Sequence, residues 1–104
     1  MAQGGDITQQ NGQGGASIYG ATFEDENNGL MIPHAHRGLL SMANKGRNTN
    51  SSQFFISMKN LHWLNGKHVI FGQLTQGMRI LRALEVGGSK SGKPTGQFVI
   101  EDCG

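Results

Sequence analysis

Residues 44–72 read NKGRNTNSSQFFISMKNLHWLNGKHVIFG and hold most of the chain's chemistry-bearing side chains. Phe54-Phe55 lie in an apolar run, His62-Trp63-Leu64 follow, and His68 heads a second run. Two β runs joined by a turn would converge a phenyl ring, an indole, an isobutyl group and an imidazole. Large apolar surfaces with a few polar tips make a pocket for a small hydrophobic ring. Alternation along a strand turns Phe54 and Phe55 to opposite faces, so that one packs inward while the other lines a groove. The pattern by itself also fits a plainer arrangement, with Phe54, Phe55, Trp63 and Leu64 all in the core.

Other chemistries find less support. Residues 87–93 read GGSKSGK, close to a phosphate-binding loop, but Pro94 stands where a magnesium-ligating hydroxyl is needed. The order is also reversed, with a helical pattern before the loop and a strand-like run after it. His34 and His36 alternate as H-x-H, with His62 and His68 further on, yet no Cys or carboxylate stands near His34 at zinc-site spacing. The His34-Ala35-His36 segment follows Pro33 and reads as an exposed loop. Ser41, Ser51 and Ser52 lack a nucleophile elbow, and Cys103 lies in a terminal Asp-Cys-Gly, so no nucleophile is marked.

The elements that must position these residues are short. Apolar or β-branched runs bounded by Gly, Asn or Pro predict strands near residues 39–43, 53–58, 68–74 and 97–101. Asn65-Gly66 supplies the reversal before His68. One helical pattern spans residues 76–86: Met78, Leu81 and Leu84, with Ile80 and Ala83, form an apolar stripe closed by Gly87-Gly88. Residues 1–20 are rich in Gln and Gly, which fits a flexible arm. The Asn11-Gly12 turn signal, with Asp6-Ile7-Thr8 and Ser17-Ile18-Tyr19, fits a tightly looped, ordered segment equally well. Several strands and one helix predict a β-barrel or sandwich plugged by a helix.

Composition bounds the partners. The 104 residues suit one domain, but 36% hydrophobic content with 17 glycines is thin material for a core. A net charge of +2 without a basic run argues against a nucleic-acid face. No apolar run approaches the ~18–20 residues of a membrane span. No basic, then apolar, start forms a signal peptide. The single Cys103 suits a reducing compartment, and the cytoplasm is expected. Asn50-Ser51-Ser52 matches a glycosylation sequon, which without an export signal is coincidence.

The residues of segment 44–72, with MAQGGD at the start and SMAN at residues 41–44, closely resemble the cyclophilins, a family of peptidyl-prolyl cis-trans isomerases. The resemblance runs over nearly all of the chain. It implies a mainly β fold, an antiparallel β-barrel with one helix in its C-terminal half. It also implies incompleteness: two strands, a helix and the catalytic arginine of a full domain would precede Met1, making residues 1–104 a partial domain. The last strand, near residues 98–100, is then expected to lie open, and the chain to be partly unfolded or to self-associate.

The resemblance further assigns Phe55, His68 and Gln3 to catalysis. It sets Met1, Leu64 and His68 with Phe55 around a proline ring, and Trp63 at the rim. Gln3, Ala43, Asn44 and Gln53 match positions that hold the flanking peptide backbone, and Gly12 lies by the neighbouring subsite. Arg37, Arg47, Arg79 and Arg82 match neither the motif nor the place of the family arginine. Arg47 stands where a proline is common and Ser51 where glycine is common, and the loop at residues 31–36 is variable. The implied reaction needs no metal or cofactor. The implied partners are proline-containing peptides or proteins and cyclosporin-like cyclic peptides, with no nucleic acid and no membrane. Two other readings remain at this point: a non-catalytic proline-peptide-binding module, and an inactive truncated product.

Overall fold

A computed structural model describes residues 1–104. In chain order the elements are β1 (Ala2–Gly4), α1 (Asn27–Leu30), β2 (Leu39–Met42), β3 (Phe54–Ile56), β4 (Ile70–Gln73) and α2 (Met78–Val86). A single 3-10 turn, His62–Leu64, links β3 to β4. All strand pairs are antiparallel, in the order β1-β3-β2-β4. The fold is mainly β, as expected, and its sheet is not closed. β1 and β4 are its two edges.

Register decides which side chains meet. Gln3 pairs with Phe55, and Phe55 with Ser41, so these three residues form one row across β1, β3 and β2. Alternation then puts Gln53 and Ser57 on the Phe55 face and leaves Phe54 and Ile56 on the other. Burial follows the same alternation: Gln53, Phe55 and Ser57 are buried, whereas Phe54 and Ile56 are half-buried.

The apolar core is small: Leu39, Met42, Phe55, Met58, Leu61, Val69, Ile70 and Leu81. Five polar residues are buried with it, namely His34, Ser41, Asn50, Gln53 and Ser57. Such groups stabilise an interior only when hydrogen-bonded. Ser57 illustrates how this is met. Its hydroxyl accepts from the Leu39 N–H at 2.9 Å and donates to the His36 carbonyl at 2.8 Å, riveting β3 to the segment entering β2. Asn50 is fully buried and donates to Phe23 and Asp25, so its amide is closed to glycosylation.

Two expectations are corrected. Residues 97–101 form no strand, and Phe98, Val99 and Ile100 are 47%, 74% and 62% exposed. A β-prone run becomes a strand only where a neighbour supplies partners for its N–H and C=O groups. Here the chain turns back toward the end of α2 instead, with the Thr95 N–H donating to the Gly87 carbonyl at 2.8 Å. The second correction concerns His34. Its ring is fully buried, not exposed, because two polar partners and an aromatic face enclose it.

Helix α2 keeps part of its predicted stripe. Leu81 is buried and Met78 and Leu84 are half-buried, while Ile80 is 68% exposed. Arg37 Nη2 lies 2.8 and 3.2 Å from the two carboxylate oxygens of Glu85, an ion pair that ties the helix to the segment before β2.

Candidate functional site

Asp6 organises the glycine-rich start of the chain. Its Oδ1 accepts from the N–H groups of Thr8 (3.3 Å) and Gln9 (2.9 Å), and its Oδ2 from those of Asn11 (3.0 Å), Gly12 (2.8 Å) and Gly14 (3.0 Å). Donors around a carboxylate stabilise the charged form. The Gln9 N–H, with those of Gly14 and Asn11, therefore holds the Asp6 carboxyl well below the usual carboxylate range. The segment is an ordered loop, the second of the two readings that composition left open.

That loop presents its carbonyls to β3. Gln53 Nε2 donates to the carbonyls of Gly12 and Gly14, and Gln53 Oε1 accepts from Gln3 Nε2 at 2.7 Å. Gly5 makes the approach feasible: its φ is +91°, and a Cβ there would strike the Ser52 carbonyl. A cavity of about 470 Å³ opens over this network, lined in part by Gln3, Gly12, Ala43, Asn44, Lys45 and Gln53. Five of the residues singled out from sequence thus share one cleft. Its walls are chiefly amide and backbone groups, able to donate to and accept from a peptide chain.

An aromatic cluster lies in the adjoining part of the sheet. The Phe55 ring stacks on His34 with centroids 5.9 Å apart and meets the edge of His68 at 5.6 Å. Phe55 exposes 2% of its surface, so it forms a floor. Leu64 and His68 are half-buried above the core. His68 Nδ1 donates to the Met42 carbonyl at 2.9 Å, which orients the imidazole and leaves Nε2 as an acceptor. Trp63 is 51% exposed on the 3-10 turn, its indole set against His62 and 6.0 Å from Lys59 Nζ. Met1 is half-exposed and lines a separate, open depression with Met58 and Leu84.

His34 is the residue whose role sequence reasoning missed. Its Nε2 lies 3.0 Å from Ser41 Oγ, its Nδ1 lies 3.2 Å from Asn65 Oδ1, and its backbone N–H donates to the same Asn65 oxygen at 2.7 Å. Burial pushes its pKa below the ordinary histidine value, the Asn65 hydrogen bond opposes that, and a charge on His68 adds to it. Asn65 Oδ1 can only accept, so in the neutral ring Nδ1 carries the proton and Nε2 accepts from the Ser41 hydroxyl. Nothing in a Pro-His-Ala-His string marks this position. Asp6 was more legible, since an Asp before a Gly- and Asn-rich turn is a loop-forming signal.

An antiparallel sheet with one main helix is the mainly β arrangement the resemblance implied, with the sheet open and not closed into a barrel. The sequence matches, over residues 1–104, the family described as cyclophilin type peptidyl-prolyl cis-trans isomerase/CLD. The chain belongs to this family, whose members catalyse prolyl isomerisation. No helix is long and apolar enough to cross a membrane.

Proposed function

We propose that this chain binds proline-containing peptides across the cleft, with the ring over Phe55, Leu64 and His68. The observation carrying the reading is the join between the amide pair and the floor: Gln3 stands opposite Phe55 in the β1–β3 register, and its amide reaches Gln53, two residues before Phe55. Gln3, Gln53 and Asn44, with the backbone at Ala43, hold the chain on either side of the proline, and Gly12 lies by the neighbouring subsite. Trp63 forms the rim. The thioether of Met1 is free to pack on a ligand as an outer wall. Cyclosporin-like cyclic peptides, which present an apolar ring and backbone amides, suit the same surface.

Isomerisation asks little of the protein chemically. The prolyl amide rotates against a barrier of about 18–20 kcal/mol, reflecting C–N double-bond character. A site that binds the twisted amide better than either planar form lowers that barrier without nucleophile, metal or cofactor. A cationic donor to the prolyl nitrogen would add most, because that lone pair is freed as resonance breaks. Arg37 is engaged with Glu85, and Arg79 and Arg82 lie exposed on α2. Peptide binding is the role these residues support directly, and prolyl isomerisation is the reaction of the family. The lone, exposed Cys103 supports a reducing compartment, the cytoplasm, as its setting.

Titration of a blocked proline tetrapeptide, followed by Trp63 fluorescence, tests the binding. Saturable quenching that is lost in Gln53→Ala supports it, and no change at millimolar peptide overturns it. A coupled isomerisation assay tests the rate. Acceleration that is lost in Gln53→Ala supports catalysis at this site, and no acceleration leaves the chain a peptide binder.

A further inference from the structure

We propose that a cationic groove beside the cleft selects peptides with an acidic side chain next to the bound proline. This rests on the proline-peptide reading above. The groove has a volume of about 500 Å³, and Asn44 lines both it and the cleft, so a peptide in the cleft passes its mouth. His68 lies on its wall, with Arg47, Lys67 and Asp25 as its charged residues.

The backbone that carries the two cations is held in place, and their charged groups lack carboxylate partners. Arg47 sits in a turn closed by three hydrogen bonds: Lys45 N–H to Thr49 Oγ1 at 2.9 Å, Thr49 Oγ1 to the Gly46 carbonyl at 2.7 Å, and Gly46 N–H to Asn44 Oδ1 at 3.2 Å. Lys67 is anchored through its backbone, its carbonyl accepting from Asn44 Nδ2 at 2.8 Å and its N–H donating to Leu64 at 3.1 Å. The ion pair of the molecule is Arg37–Glu85, and neither Arg47 nor Lys67 has a carboxylate within 4.0 Å.

Asp25 is already engaged. Its Oδ1 accepts from Asn50 Nδ2 at 2.8 Å and its Oδ2 from the Asn48 N–H at 3.0 Å, while its own N–H donates to Asn48 Oδ1 at 2.9 Å. With His68 neutral, two cations and one carboxylate leave the groove at a formal charge of +1, and the unanswered charge is positive. A guanidinium with free donors takes a carboxylate by paired hydrogen bonds, and an ammonium adds a second point charge. A glutamate or aspartate flanking the proline is the group that fits.

The test uses three blocked peptides with Ala, Glu or Lys beside the same proline, placed before it and after it in turn. Exposed charge contacts are individually weak, so the Glu peptide should bind about three- to ten-fold more tightly than the Lys peptide at low salt, with the gap closing in high salt. Arg47→Ala and Lys67→Ala, each checked for an unchanged chemical melt, should shrink the gap to about two-fold or less while the Ala peptide binds as before. Equal binding of Glu and Lys peptides, or a preference that survives both substitutions, overturns the groove assignment alone. Failure of the Ala peptide to bind at all overturns the proline-peptide reading and this inference with it.

Discussion

Phe55 and His34 lie ring against ring, with planes 18° from parallel and centroids 5.9 Å apart, although one comes from β3 and the other from the loop before β2. Phe55 thus closes the core and forms the floor of the proposed ring subsite. Truncating a buried phenylalanine costs about 3–5 kcal/mol, comparable with the whole stability of a small domain. Phe55→Ala is expected to unfold the chain in a urea melt. Phe55→Leu is expected to keep the fold and to weaken proline-peptide binding, read by fluorescence titration.

Ser41→Ala removes the partner of a buried imidazole nitrogen. Leaving such a group unsatisfied costs about 1–3 kcal/mol, so the urea midpoint should fall with an unchanged slope.

The pH dependence follows from His34. Its folded pKa lies below the ordinary 6.5, so the unfolded chain binds the proton more readily. Stability is fully present above about 6.5 and declines as pH falls from there toward the folded pKa. Melts at pH 8, 7, 6 and 5 should show this decline, and His34→Asn should flatten it.

Asp6→Asn keeps the shape and replaces one acceptor oxygen with an NH₂ that faces backbone donors. Amide exchange at Gly12 and Gly14 should accelerate, and peptide affinity should drop because those two residues supply the carbonyls that hold Gln53. In the unsubstituted chain the loop's protection should persist above the ordinary carboxylate pKa of about 3.8 and fade as pH falls below it, since the folded pKa is depressed.

Gly29→Ala tests the packing of α1 on β4. Alanine ordinarily gains up to about 1 kcal/mol over glycine inside a helix. Here its Cβ would lie 2.5 Å from Val69 Cγ1 and 2.7 Å from the Ile70 carbonyl. Overpacking of that kind costs about 1–3 kcal/mol, so the clash should win and the melt should shift down.

The open sheet has its own consequence. Both edges carry unpaired backbone groups, Phe71 is exposed on the edge strand β4, and Val86 and Ile100 add apolar surface elsewhere. Open edges with apolar surface promote pairing between chains. Light scattering is expected to show mass rising with concentration, and a compact monomer with one cooperative melt would refute this.

What the sequence determined by itself was local. Short β-prone runs bounded by turn residues placed β2, β3 and β4 to within a few residues, and the apolar spacing from Met78 to Leu84 placed α2. The motifs were dense enough to carry the family. Three matters waited for the tertiary structure, because each depends on what lies across from a residue and not on its neighbours in the chain. Residues 97–101 have strand propensity but no adjacent strand, so their backbone partners are missing and the run stays irregular. Met1 precedes the strand that carries Gln3, and only the fold shows that it lines a separate depression with Met58 and Leu84. His34 sits in a polar loop string and is nonetheless buried, because Ser41, Asn65 and Phe55 arrive from three other places to satisfy its nitrogens and cover its face. A buried polar side chain is stabilised by partners distant in sequence, and only the fold brings them together.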